Sequence, residues 1–282
     1  MGPSPPPEVL VSAQGEKILR FTRRQIVNHW LMLVTFTGLV FTGMPQKFPA
    51  EAWAKGIVLI IGGVQRVRFL HHMLGTIMAL QLLWHVVESV WLHLVKRLDT
   101  PMVPRASDVR NFIQQIKFNL GMEARPPHMG RYTFAEKLEY LALVWGTAIM
   151  VLTGLLLLYP VRWSSLFPGE VILAAKAAHG GEAVLAFLSI LTWHVYFVHI
   201  RHWNTAIFTG KLDAEEYAEE HPLELAKLRR AEEKAVAQRP EVWRVAVFAV
   251  VTVVLVGGAA ALYWWMRGSV AALLTIKVPG LR

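Results

Sequence analysis

His179 and His194 stand 15 residues apart in one apolar segment, and His29 and His71 stand in two others. An ionisable side chain is costly in a bilayer, so a histidine held there is a functional candidate by default. Fifteen residues of α-helix rise roughly 22 Å, which sets one imidazole near each membrane face. A haem iron takes axial ligands on opposite sides of its ring, and facing helices of a bundle can supply them. The expected chemistry is electron transfer through two b-type haems stacked across a membrane.

Helical phase agrees with that reading. At about 100° per residue, His179 and His194 differ by roughly 60° around the axis, and His71 and His85 by roughly 40°. Each pair can therefore face a bundle interior. His85 rivals His29 as an inner ligand, and His72 rivals His71 as an outer one. Gly38, Gly43, Gly75, Gly180 and Gly181 lie where a porphyrin needs room, although small residues also serve plain helix packing in membranes. His93, His199 and His202 fall at the inner boundary; His128 and His221 read as surface residues of loops.

The elements that position these side chains follow from composition. The chain has 282 residues, 54% hydrophobic and only 17% charged, which departs from a soluble domain of this size. It has no cysteine. That excludes disulfides, thiolate zinc sites, cysteine-ligated iron–sulfur clusters and covalent c-type haem. Spans are expected at about 26–44, 71–95, 138–159, 174–199 and 242–266, each close to the 17–25 residues that cross a hydrocarbon core. The fold class expected is all-α, an integral membrane bundle of five transmembrane helices with a four-helix haem-binding core. Its parts are a flexible N-terminus (1–20), the core (21–210), a charged segment (211–241), and the fifth helix with an external tail (242–282). The charged segment reads as a solvated helix, and no internal repeat is visible.

Charge sets the orientation. With the N-terminus inside, the inner segments carry 19 of the 29 Lys and Arg residues and the outer segments nine. This asymmetry predicts a cytoplasmic N-terminus and an external C-terminus in the inner membrane of a bacterium. The net charge of +9 then belongs to cytoplasmic loops, and nucleic acid is not an expected partner. Ser107-Asp108 signals a helix cap, followed by Val109, Phe112, Ile113, Ile116 and Leu120 on one face. Such a helix suits the inner membrane surface or a partner subunit. The apolar stretch 56–63 is too short to span.

Several motifs carry a resemblance. Arg24-Gln-Ile-Val-Asn-His29-Trp30, Arg68-Phe-Leu-His71 with Gly75, Tyr132-Thr-Phe-Ala-Glu136-Lys137, His194-Val-Tyr-Phe, Ile207-Phe-Thr-Gly-Lys-Leu212 and Glu220-His-Pro222 occur in order. Over roughly 20–225 the chain resembles the gamma subunit of bacterial formate dehydrogenases. The cytochrome b subunits of nickel–iron hydrogenases and thiosulfate reductases are similar in plan. The resemblance implies a di-haem cytochrome b that passes electrons between an external redox subunit, iron–sulfur or multihaem cytochrome c, and the membrane quinone, menaquinone or ubiquinone. By position it implies His71 and His179 on the outer haem and His29 and His194 on the inner one. The chain departs from the family in its fifth span, in a His179–His194 spacing one residue longer, in Thr133 and Glu136 where amides are expected, and in the extra His85.

Haem does the electron transfer, and the protein sets its position and potential. Arg23, Arg24, Arg68 and Arg201 lie near membrane boundaries and suit haem propionates. Quinone chemistry also needs protons. The quinone site is expected at Tyr132, Thr133, Glu136 and Lys137, with Glu136 exchanging the proton. Two other readings compete. One is a self-contained b-haem quinone or superoxide oxidoreductase. The other is a non-haem transporter or scaffold whose histidines relay protons.

Overall fold

The computed structural model describes residues 9–12, 15–201, 203–231 and 241–267. Five helices are long and apolar enough to cross a membrane: Arg23–Lys47, Val64–Val95, Phe134–Leu158, Gly169–Ile200 and Val242–Met266. The all-α membrane bundle expected from composition is therefore the fold. In chain order the helices are α1 (Arg23–Lys47), α2 (Ala52–Ile61), α3 (Val64–Val90), α4 (Ala106–Asn119), α5 (Phe134–Leu158), α6 (Pro160–Trp163), α7 (Gly169–Ser189), α8 (Ala206–Thr209), α9 (Ala214–Glu220), α10 (Pro222–Ala231) and α11 (Val242–Arg267). The chain divides into two compact units, each discontinuous in sequence.

The unit formed by 30–90, 144–201 and 246–282 holds most of the apolar helix length. Its second span begins at Val64, earlier than hydropathy alone suggests, so His71 and His72 lie two turns inside the helix. The start is set by Gly62 and Gly63, both at positive φ, which end α2 and turn the chain. Arg66 and Arg68 then sit in the first turns, where long cationic side chains reach water. Both α3 and α7 change winding at one end. Trp91–Val95 and Ile190–Arg201 are π-helical. A π-helix closes i→i+5 bonds, so each residue turns through ~85° and the rise is shorter. His194 lies in the second of these segments, and the 22 Å expected for an uninterrupted α-helix is an overestimate. With the wider turn counted from Ile190, the azimuths of His179 and His194 come to within about 10°. At the far end of α11, Trp265 meets Trp163 at a ring separation of 5.0 Å and stacks under Arg162 at 4.5 Å.

The unit formed by 1–29, 91–143 and 202–245 contains the polar segments. Here the N-terminal region forms strands where a flexible segment is expected. β1 (Val9–Ser12) pairs with β2 (Gly15–Leu19), and β2 pairs with β3 (Lys211–Asp213), all antiparallel. The charged segment is likewise more than a solvated surface. Leu212, Tyr217 and Leu225 pack with Ile18 and Ala206 into the hydrophobic core of this unit, because α9 and α10 turn their apolar residues to one side. Asp108 acts from the third position of α4, not as its cap: its carboxylate accepts the Arg105 N–H at 2.7 Å. The start of α11 is tied to the end of the second span. Arg244 donates to the Leu94 carbonyl at 2.8 Å, and Arg97 pairs with Glu241.

Candidate haem site

Four helices place two histidines against each other. His71 is on α3 and His179 on α7, and their ring centres lie 6.3 Å apart with planes at 76°. Metal–imidazole bonds of about 2.0–2.1 Å put the centres of two trans ligands ~6.3 Å apart. The spacing fits one metal held between the rings. Among the described residues no group of three or more His, Cys, Asp or Glu could hold a metal ion. A two-histidine site needs the remaining ligands from elsewhere, as a porphyrin supplies them.

Each ring is held by a neighbouring helix in the same way. Thr42 Oγ1 on α1 lies 3.0 Å from His71 Nδ1, and Thr153 Oγ1 on α5 lies 2.9 Å from His179 Nδ1. The following residue is glycine in both cases. A Cβ on Gly43 would stand 3.0 Å from His71 Cε1, and one on Gly154 would stand 3.4 Å from His179 Cε1. The same Thr-Gly device thus serves two helix pairs, a repetition not visible in the sequence as a repeat. His72 packs its ring 6.3 Å from His71, and its buried Nδ1 has no hydrogen-bond partner among the described residues.

Two charged side chains near this pair escape a reading focused on histidine. Lys47 brings Nζ to 2.9 Å from the position a Cβ would take on Gly180, the residue after His179. A cation there suits a propionate carboxylate. Glu182, three residues beyond His179, places Oε1 2.5 Å from where a Cβ on Gly146 would stand. A carboxylate inside a span suits charge compensation of a cationic metal centre. The signal for Glu182 was legible, since it is an acid in an otherwise apolar run.

The remaining candidates occupy other stretches of the helices. His194 faces His199 at a ring separation of 6.4 Å in the π-helical segment. His29 lies in the second turn of α1, His85 lies in α3, and His93 Nδ1 is 3.1 Å from the Leu98 carbonyl. His202 lies outside the described residues, as do the Arg201 side chain and the tail 268–282.

The expected quinone residues belong to a second polar cluster, centred on Arg20. Arg20 is only 4% exposed. Its guanidinium donates to Glu136 at 3.0 Å and to the Arg131 carbonyl, and lies 4.8 Å from the Tyr132 ring centre. Glu136 also accepts the Thr133 N–H at 2.7 Å, while Thr133 Oγ1 accepts the Glu136 N–H at 3.1 Å. This reciprocal pair is a capping box that starts α5. Lys137 pairs with Asp108 at 2.8 Å. His221 is no surface residue: it is 1% exposed and its Nδ1–H donates to the Gly130 carbonyl at 2.8 Å. Burial first, and then the Arg20 cation, hold its pKa down to about 4. Burial pushes the nearby Tyr217 hydroxyl up. Four motifs distant in sequence, around 20, 132, 210 and 221, converge here.

A membrane-spanning helical bundle with an opposed imidazole pair defines a class, the membrane cytochromes of b type. A family model described as prokaryotic cytochrome b561 matches residues 20–210, and the chain belongs to that family. The match ends before the fifth span. The Escherichia coli K12 protein "Formate dehydrogenase, cytochrome b556(fdo) subunit" is 24% identical over 221 residues, covering 78% of this chain and 97% of the relative. The Haemophilus influenzae protein "Formate dehydrogenase, cytochrome b556 subunit" is 24% identical over 180 residues, covering 64% and 70%. The chain is thus a prokaryotic membrane protein and an electron-transfer cytochrome b subunit that binds b-type haem.

Proposed function

We propose that this subunit carries two bis-histidine b haems and passes electrons between an external redox partner and the membrane quinone pool. The observation that carries the reading is the His71–His179 pair, 6.3 Å between ring centres and framed by glycine. These residues would hold the outer haem, with Lys47 beside a propionate. Bound there, the group supplies a one-electron Fe(III)/Fe(II) couple. The second haem rests on sequence and resemblance, with His194 as one ligand and His29 or His85 as the other. The names of the relatives favour a formate-oxidising or similar catalytic partner, iron–sulfur or multihaem cytochrome c in kind. The charge asymmetry favours an inner-membrane protein with its N-terminus in the cytoplasm.

Tyr132, Thr133, Glu136 and Lys137 are the proposed quinone side. Glu136 exchanges the proton that accompanies reduction; its side chain remains 38% exposed while Arg20 holds one oxygen. Arg20 orients the carboxylate, Lys137 is braced by Asp108, and Thr133 fixes the turn.

Redox spectra of the purified protein test the reading. Two low-spin b haems are expected. His71→Ala and His179→Ala each remove one of them, and the same one. Spectra without haem, or two haems surviving in both variants, would overturn it. Glu136→Gln keeps both haems and slows quinone turnover severalfold; unchanged turnover removes Glu136 from the proton route.

A further inference from the structure

We propose that Thr42 and Thr153 are a matched pair of positioning residues that hold His71 and His179 in the Nδ1–H form and lower the potential of the iron between them. The inference rests on the reading of those histidines as axial ligands.

A hydroxyl carries one proton and can accept on its lone pairs. Thr42 Oγ1 lies 2.7 Å from the Gly38 carbonyl and 3.0 Å from His71 Nδ1. Thr153 Oγ1 lies 2.6 Å from the Ile149 carbonyl and 2.9 Å from His179 Nδ1. In both, the carbonyl four residues back is the nearer partner, and a carbonyl can only accept. The hydroxyl proton goes to the carbonyl. The hydroxyl oxygen then faces Nδ1 as an acceptor, so Nδ1 carries the ring's proton. A neutral imidazole has one N–H, which leaves Nε2 as a bare lone pair. Both rings are thereby set in the metal-binding tautomer before any metal arrives.

Bonding of a threonine to its own helix is common and proves nothing alone. Thr35, buried on α1, makes the same bond to the Leu31 carbonyl at 2.8 Å. What distinguishes Thr42 and Thr153 is the imidazole at the third corner. The arrangement occurs on two separate helix pairs, each time with glycine as the next residue and the ring edge above it. An acceptor on the far nitrogen of a ligating imidazole fixes its orientation and raises its basicity. A more basic ligand favours the ferric state, so each threonine lowers the potential.

The test is an optical and EPR redox titration of the full-length protein with its haems in detergent. Thr42→Val and Thr153→Val each raise the midpoint potential of one haem, and of the same haem, leaving the other in place. The expected shift is about tenfold in the ferrous-to-ferric ratio at a given potential, about 59 mV for a one-electron couple. Thr42→Ser and Thr153→Ser, which keep the acceptor, stay at the starting potential, and Thr35→Val serves as the control that should not move. If valine prevents assembly, Thr42→Cys and Thr153→Cys keep the volume with a weaker acceptor and give a smaller shift of the same sign. Unshifted potentials, or shifts matched by Thr35→Val, overturn the proposal. Survival of both haems in His71→Ala and His179→Ala would instead overturn the ligand assignment beneath it.

Discussion

His71 reaches its position because α1 has no side chain at residue 43. A methyl there would stand 3.0 Å from His71 Cε1, closer than rings and methyls ordinarily pack, whereas the equivalent contact at Gly154 is 3.4 Å. Gly43→Ala should displace the ring from Thr42 and weaken haem retention by roughly tenfold, the scale of losing an outer-shell contact. Gly154→Ala should leave it nearly unchanged, and haem content per protein reads both. His221 makes a prediction of a different kind. It is neutral in the fold, with a pKa near 4 set by burial, Arg20 and Arg131 against the opposing effects of Glu136 and the Gly130 carbonyl. An unfolded histidine binds its proton near 6.5. Below that pH the unfolded chain takes up a proton that the folded site refuses. Stability is fully present above about 6.5, falls as pH drops toward 4 and levels off below, a loss on the order of 3 kcal/mol. Limited proteolysis of residues 203–231 across this range checks it, and His221→Gln should flatten the profile.

Elements show why some motifs were legible and their purpose was not. Gly210 adopts φ 79°, and its carbonyl accepts the Arg20 and Phe21 N–H groups at 2.8 and 3.1 Å. A Cβ there would stand 2.9 Å from the Phe21 carbonyl oxygen. Gly210→Ala should cost roughly 1–3 kcal/mol in this unit, seen as earlier thermal release of the N-terminal strands, with the His71–His179 haem still bound. In sequence this glycine is one letter of a family motif; only β2 lying alongside explains it. The fourth span was legible as one apolar run. Its π winding from Ile190 was not, because hydrophobic period alone does not distinguish a wide turn from an ordinary one. Tyr132 to Lys137 read as a site; the structure shows this stretch as a helix start, with Thr133 and Glu136 capping α5.

At the scale of the molecule, the charge asymmetry of the loops predicts that the two termini lie on opposite faces of the membrane. Reporter fusions should show residue 1 and the 96–137 loop inside, with the 48–63 loop and the C-terminus outside. Reversing the Lys and Arg balance of the loops should reverse or scramble that result, and a C-terminus inside would contradict five crossings. The fifth helix lies beyond the family match, yet it is held at its start by Arg244 and Glu241 and near its end by Trp163 and Arg162. Hydropathy located it; its fastenings join residues some 100 to 150 positions apart, which no local pattern encodes.

Length and apolar runs were enough to establish a five-span bundle, because a bilayer imposes its thickness and its intolerance of charge on every segment independently. Which rings meet and which buried cation gathers four remote motifs depended on helices and strands coming together. Those are pairings between distant residues, and their energies exist only once the chain has closed on itself.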